Sequence, residues 1–203
     1  SREGESYFDA MKAAGNYAFA NRSSVTHHLR RALRAHMGFE VGVDVVYDVC
    51  HNIARVEEHV VHGSSCSCCV HRKGATRAFG GDNQELASNF SEIGQPVLVP
   101  GDMGSGSYVM AGPKSGTNQA FGSSCHGAGR AMSRSEARKK IDGAAVKREL
   151  AEKGVAIYET HEKYLSEEAP GAYKDVHDVI SLTERAGLAR PVARLRPLIV
   201  IKG

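Results

Sequence analysis

The sequence predicts an α+β fold, a single mixed domain over residues 1–203. Three observations lead there. Helical periodicity fills the start of the chain and returns in its last third. Between these stretches, β-branched and apolar runs are short and bracketed by proline and glycine. The 203 residues, 41% of them hydrophobic, suffice for one core, and no repeat, low-complexity block or clear linker divides them.

Residues 5–37 read as one helix. Phe8, Met11, Ala14, Tyr17 and Ala18 recur at three- and four-residue spacing, and Val25, Leu29 and Leu33 continue the stripe. The arginines of "HHLRRALRAH" take the other faces. The β-branched run Val41 to Val49 predicts a strand pair or a buried strand. "GSSCSCCVHRKGATRAFGG" mixes a loop with a short strand that ends in a basic turn. "GQPVLVPGDMGSGSYVMAG" reads as strand, glycine-rich turn, strand, with Pro96 and Pro100 bracketing the first strand and Gly101, Gly104 and Gly106 making the turn. "SRSEARKKIDGAAVKRELAEKG" is a helix broken near Gly143, with Ser133 or Ser135 as its cap. "VAIYET" is a short strand, "AYKDVHDVISLTERAGL" a helix ended by Gly187, and "ARPVARLRPLIVIKG" a basic closing strand.

Composition narrows the class. A formal net charge of +3 permits an anionic ligand without requiring one. Cys50, Cys66, Cys68, Cys69 and Cys125 are odd in number, and three crowd into four positions. That is a poor disulfide framework and fits a reducing, cytoplasmic setting. No apolar run approaches a membrane span and no signal peptide is visible, so no membrane role is expected. The first residue is Ser rather than Met, which suggests a trimmed, processed or partial chain.

The stretch "GSSCHGAGR", residues 122–130, sets His126 among small residues. An imidazole can act as base, metal ligand or covalent nucleophile. Small neighbours free backbone N–H groups for phosphate oxygens, and Arg130 lies four residues on. A tight turn around a buried histidine is the weaker reading. His51, at the end of the β-branched run, could be a metal ligand or catalytic group, with Asn52 beside it. A strand end followed by a solvated acidic helix carrying Glu57 and Glu58 is an equal alternative. "VHRKGATR" gathers His71, Arg72, Lys73 and Arg77 around Gly74 and suits phosphates, or is a solvated basic turn. "CSCC" lacks the spacing and the second pair of a zinc site, which favours reduced cysteines over a zinc-binding structural protein. "PGDMGSGSY" is neither a P-loop nor a dinucleotide fingerprint.

Taken in order, "YDVCHNIARVEEH", "VHRKGATRAF", "GQPVLVPGDMGSGSYVM", "FGSSCHGAGRAMSR" and "PLIVIKG" resemble the RtcB-type RNA ligases over essentially the whole chain. The resemblance implies an RtcB-like fold incomplete at its N-terminal side, the C-terminal half of such a ligase. It implies an enzyme that joins 2′,3′-cyclic phosphate or 3′-phosphate RNA ends to 5′-hydroxyl ends, using GTP and two Mn²⁺ ions, in tRNA splicing or RNA repair. His126 would attack the α-phosphate of GTP to give a histidine–GMP intermediate. Asp102, Ala128, Gly129, Tyr173 and Lys202 would meet the nucleotide, with Tyr173 at the guanine ring and Lys202 at its edge. His51 would hold metal, and Asn52, Lys73, Arg130 and Arg134 would contact RNA phosphates. The implied partners are RNA, as tRNA halves or broken strands, and the activating protein archease. The remaining family ligands, a cysteine and two histidines, lie upstream of this sequence, and "GNYAF" carries Tyr17 where a histidine is needed. Alone, the chain is expected to ligate poorly or not at all. The alternative is a non-catalytic nucleotide- or RNA-binding remnant of the fold.

Overall fold

Glu3 and Glu5 in the first turn and Arg34 and His36 in the last complement the dipole of a 36-residue helix, α1 (Arg2–Met37). A computed structural model describes residues 1–37, 42–157 and 162–196. These contain five α-helices and seven strands, an α+β composition. They form two compact units, Ser1–Lys73 and Gly74–Gly203. No helix among the described residues is long and apolar enough to cross a membrane.

In the first unit, α1 is followed by residues 42–50, which have no regular structure. The strand expected over Val41 to Val49 is therefore absent from the described part of that run. Its place is set by side chains of α1: Arg30 Nε donates to the Val43 carbonyl at 2.7 Å and Arg22 Nε to Asp48 at 2.6 Å. The valines have no partner strand among the described residues, and Val46 is 82% exposed. Extended pairing begins at Asn52. Strands β1 (Asn52–Val61) and β2 (Ser64–Lys73) form an antiparallel hairpin in continuous register from Asn52↔Lys73 to Val61↔Ser64. His62 and Gly63 make its two-residue loop at positive φ. The acidic "VEEH" is thus strand rather than solvated helix, and "CSCCVHRK" is strand throughout rather than a loop with a short strand and a basic turn.

This hairpin inverts the usual burial pattern. Val56 and Val60 are exposed, while Glu57, His59 and Arg72 are buried. Arg72 makes the reversal possible. It donates to both Glu57 oxygens at 2.8 Å, and His59 Nε2 lies 3.1 Å from Glu57 Oε2. Buried charge is tolerated when it is paired in this bidentate way.

The second unit is built on an antiparallel sheet, β4 (Pro96–Pro100), β5 (Ser107–Ala111) and β7 (Arg190–Leu195), in the order β4-β5-β7. The expected strand–turn–strand is realised by β4 and β5. A short second ladder pairs β3 (Ala75–Arg77) with β6 (Ser123–Cys125). Val97, Val99 and Met110 are fully buried against Ala78, Ala128, Val176, Ile180 and Ala189. Helices α2 (Arg134–Lys140) and α3 (Gly143–Glu152) replace one broken helix, parting where expected. Of the two candidate caps, the Ser133 hydroxyl accepts from the Glu136 N–H, and Asp142 accepts from the Ala144 N–H. Val146 and Leu150 pack with Ala169 into a second small core. Val155 and Ile157 lean on that core without forming the expected strand, and the rest of "VAIYET" lies outside the described residues. Helix α4 (Glu162–Glu167) leads through a single turn, Pro170–Ala172, to α5 (Val176–Arg185), which is capped by Asp175 and closes before Gly187 as expected. The closing strand is seen to Leu195, and Lys202 lies outside the described residues.

Replacing Arg72 with alanine leaves the Glu57 carboxylate buried without its main partner. The expected loss is about 3–5 kcal/mol, read as a lower urea midpoint. The paired change Glu57→Leu with Arg72→Met removes both charges and should recover a large part of it.

Candidate active site

Gly74 and His126 face each other across the short ladder. The register Ala75↔Cys125 and Thr76↔Ser124 carries on to this pair. Gly74 has φ +69°, and a Cβ there would lie 3.5 Å from His126 Nε2. At that distance a Cβ would make only ordinary van der Waals contact with the imidazole, so it is the positive φ rather than space that calls for glycine here. His126 itself is half-buried. The preceding Cys125 turns the other way, its sulfur 3.3 Å from the Thr183 hydroxyl on α5.

The loop after His126 runs close over the end of β4. A Cβ on Gly127 would come within 3.3 Å of the Pro100 carbonyl. The Ala128 N–H donates to that carbonyl at 3.0 Å, and its methyl joins the main core. The backbone donor expected of Ala128 is therefore engaged within the protein. The Gly129 carbonyl accepts from the Lys174 N–H at 3.0 Å, and the Ala131 N–H donates to Ala172 at 2.9 Å. These bonds lay residues 129–131 beside residues 172–174, and Arg130 and Tyr173 form an isolated antiparallel bridge.

Asp102 directs its carboxylate into its own turn. One oxygen accepts from the Gly104 and Ser105 N–H groups at 2.7 and 2.9 Å, the other from the Ser105 hydroxyl at 2.7 Å. The glycine-rich turn is thus shaped by Asp102 and held against the loop of His126 through Pro100.

Around Tyr173 the polar groups interlock. The Arg130 guanidinium lies over the phenol ring, 4.8 Å from its centroid, and Nη1 donates to the hydroxyl at 3.1 Å. Arg130 Nε donates to the Met132 carbonyl at 3.1 Å and Nη2 to the Glu167 carbonyl. The Tyr173 hydroxyl in turn donates to Glu168. Burial and, after it, the Glu168 carboxylate hold the phenol protonated against the opposing pull of Arg130, with its pKa pushed up to about 12. Arg134 lies 3.5 Å from Glu167, and Arg138 reaches the same carboxylate at 3.4 Å. Sequence reasoning did not single out Glu167 and Glu168. Their only trace is the acidic pair ahead of "APGAY", which the Pro170 turn folds back towards Tyr173.

His126, Asp102, Ala128, Gly129, Arg130, Arg134 and Tyr173 therefore share the second unit. His51, Asn52 and Lys73 belong to the first, where Asn52 and Lys73 pair directly at the end of the hairpin and His51 precedes them. Among the described residues no three His, Cys, Asp or Glu side chains converge as metal ligands. The described residues do not by themselves fit a manganese centre.

An α+β protein with a histidine on a glycine-lined loop, backed by an arginine–tyrosine–glutamate cluster, is the class these features define. Residues 1–203 match the family described as tRNA-splicing ligase RtcB, and the chain belongs to that family. It is 48% identical to the tRNA-splicing ligase RtcB of Archaeoglobus fulgidus, over all of this chain and 43% of that protein. It is 45% identical to the corresponding ligase of Pyrococcus horikoshii, over all of this chain and 24% of that protein. RNA-splicing ligase RtcB homolog 1 of Entamoeba histolytica is 45% identical, over all of this chain and 39% of its own length. The chain spans less than half the length of these relatives.

The Tyr173 phenol gives a pH signature. Its contribution to stability is complete below about pH 10, where the unfolded phenol begins to ionise. It is lost as pH rises from there through about 12. Urea unfolding across that window should fall more steeply for the native chain than for Tyr173→Phe, which has no phenolic proton to lose.

Proposed function

We propose that this chain is the part of a GTP-dependent RNA ligase that carries the guanylylated histidine. The observation that supports this most directly is His126 itself, half-buried, with Nε2 beside a glycine and on the same loop as Arg130, which is bridged to Tyr173. In the reaction an imidazole nitrogen attacks the α-phosphorus of GTP. A P–N bond forms, the α–β phosphoanhydride breaks and pyrophosphate leaves. GMP then passes to an RNA 3′-phosphate, and a 5′-hydroxyl displaces it to close the phosphodiester. Tyr173 and Lys202 serve the guanine, Asp102 shapes the turn beside the nucleotide, and Gly129 keeps the loop slim. Arg134, Asn52 and Lys73 serve RNA phosphates.

Manganese, when bound, supplies charge neutralisation on phosphate oxygens. His51 would be one donor to it, with the rest of the ligand set coming from beyond the described residues. Broken RNA or tRNA halves are the substrates, and archease is the activating partner that membership of this family implies.

The test is incubation with α-labelled GTP and Mn²⁺, with the remainder of the Archaeoglobus fulgidus ligase supplied in trans. The expected result is an acid-labile label on the chain, reduced to background by His126→Ala. A folded chain that binds GMP yet takes no label in that incubation would instead be a non-catalytic binding module.

A further inference from the structure

The Tyr173 side chain is held at its hydroxyl and on its ring. Its hydroxyl donates to Glu168 and accepts from Arg130 Nη1 at 3.1 Å. The same guanidinium lies on its ring 4.8 Å from the centroid. Arg130 Nη1 also stands 3.5 Å from Glu168 Oε1, which closes a triangle of phenol, guanidinium and carboxylate. The backbone bridge Arg130↔Tyr173 and the Lys174–Gly129 bond fix the strand-like segments from which two of these side chains project. A phenol acts as a stacking wall only if its ring plane is set in advance. A hydrogen bond to a charged acceptor anchors the phenol tip, and the in-plane preference of the O–H couples that anchor to the ring plane, which the guanidinium on its face also restrains.

From this we infer that Glu168 is a positioning residue of the nucleotide subsite, orienting Tyr173 through its hydroxyl while Arg130 backs the ring. The inference rests on the reading that Tyr173 meets the guanine. Because the guanidinium occupies one ring face, a stacked base is directed to the other. Arg130 then acts mainly inside the protein, with each of its three guanidinium nitrogens on an acceptor. Glu168 touches neither substrate nor reacting atoms. Its effect is confined to nucleotide affinity and to the titration of Tyr173.

The experiment compares Glu168→Ala, Glu168→Gln, Tyr173→Ala and the parent chain, each complemented by the remainder of the Archaeoglobus fulgidus ligase. Phenolate absorbance, taken as a difference against Tyr173→Phe, follows the Tyr173 hydroxyl. Calorimetry with GMP gives affinity, and labelled adduct at varied GTP separates KM from kcat. Glu168→Ala should bring the phenol titration down towards pH 10. It should also weaken GMP about tenfold, the worth of one charge-assisted hydrogen bond, with kcat held within about twofold. Glu168→Gln, whose amide oxygen can still accept from the hydroxyl, should recover most of the affinity. That variant also keeps the test decisive if the alanine chain does not fold.

Two outcomes overturn the inference while leaving the guanine reading intact. In one, Tyr173→Ala weakens GMP and neither Glu168 variant does. In the other, Glu168→Ala lowers thermal stability and the yield of adduct without altering the GTP concentration dependence. If Tyr173→Ala itself leaves GMP affinity unchanged, the guanine reading fails and the role of Glu168 fails with it.

Discussion

The bond from the Ala128 N–H to the Pro100 carbonyl is the constraint on which the site depends. It pins the loop of His126 to the end of β4, and β4 is fixed by Val97 and Val99 in the core. Taken singly, its contribution is small, about 0.5–1.5 kcal/mol net, and the buried methyl of Ala128 adds roughly 0.8 kcal/mol. The loop is held because several such ties act within a few residues. The β3–β6 ladder fixes its entry, Ala128 its middle, and the bonds from Lys174 to Gly129 and from Ala131 to Ala172 its exit. The tie at Ala128 is the central one, and losing it would release the segment between the other two, which carries His126.

The two clusters of charge have opposite energetic characters. Arg72 and Glu57 have side chains only 2% exposed. Neither charge can be rehydrated cheaply if its partner is lost, so this pair belongs to the architecture of the hairpin. Arg134 is 67% exposed where it meets Glu167. Exposed pairs contribute between nothing and about 1 kcal/mol. An arginine held that weakly exchanges a carboxylate for a phosphate at little cost. Arg130 lies between these cases, partly buried and bonded through every nitrogen, which is why its geometry speaks for holding Tyr173.

Much of the fold was legible because it follows from local rules. The stripe of α1, the proline-bracketed β4, the glycine turn into β5 and the break at Gly143 each follow from periodicity or from a capping side chain within a few residues. The errors arise where a distant partner decides. Val43 and Asp48 are drawn onto α1 by Arg30 and Arg22, which no β propensity anticipates. Glu57 and His59 look like a solvated acidic stretch until Arg72 is brought across the hairpin to pair with them. Glu168 reaches Tyr173 only because the Pro170 turn reverses the chain. Of the candidate site, His126 stands out in sequence by its small neighbours and Tyr173 by the family resemblance, while the Glu168 carboxylate that accepts from the Tyr173 hydroxyl has no such signal.

The small residues around His126 read in sequence as one feature, room for a large ligand. In the structure they divide into separate tasks. Gly74, distant in sequence, takes up the positive φ with which the chain passes the imidazole. Gly127 lets the loop pass over the Pro100 carbonyl, a demand of packing rather than of ligand. Ala128 carries the one side chain of the loop small enough to enter the core beside Val99 and Met110 while its N–H bonds to Pro100. A larger residue at 128 would have to displace fully buried side chains, and the loop would lift from β4 and carry His126 with it. The alanine between two glycines is thus fixed as much by the interior beneath the loop as by the nucleotide proposed above it.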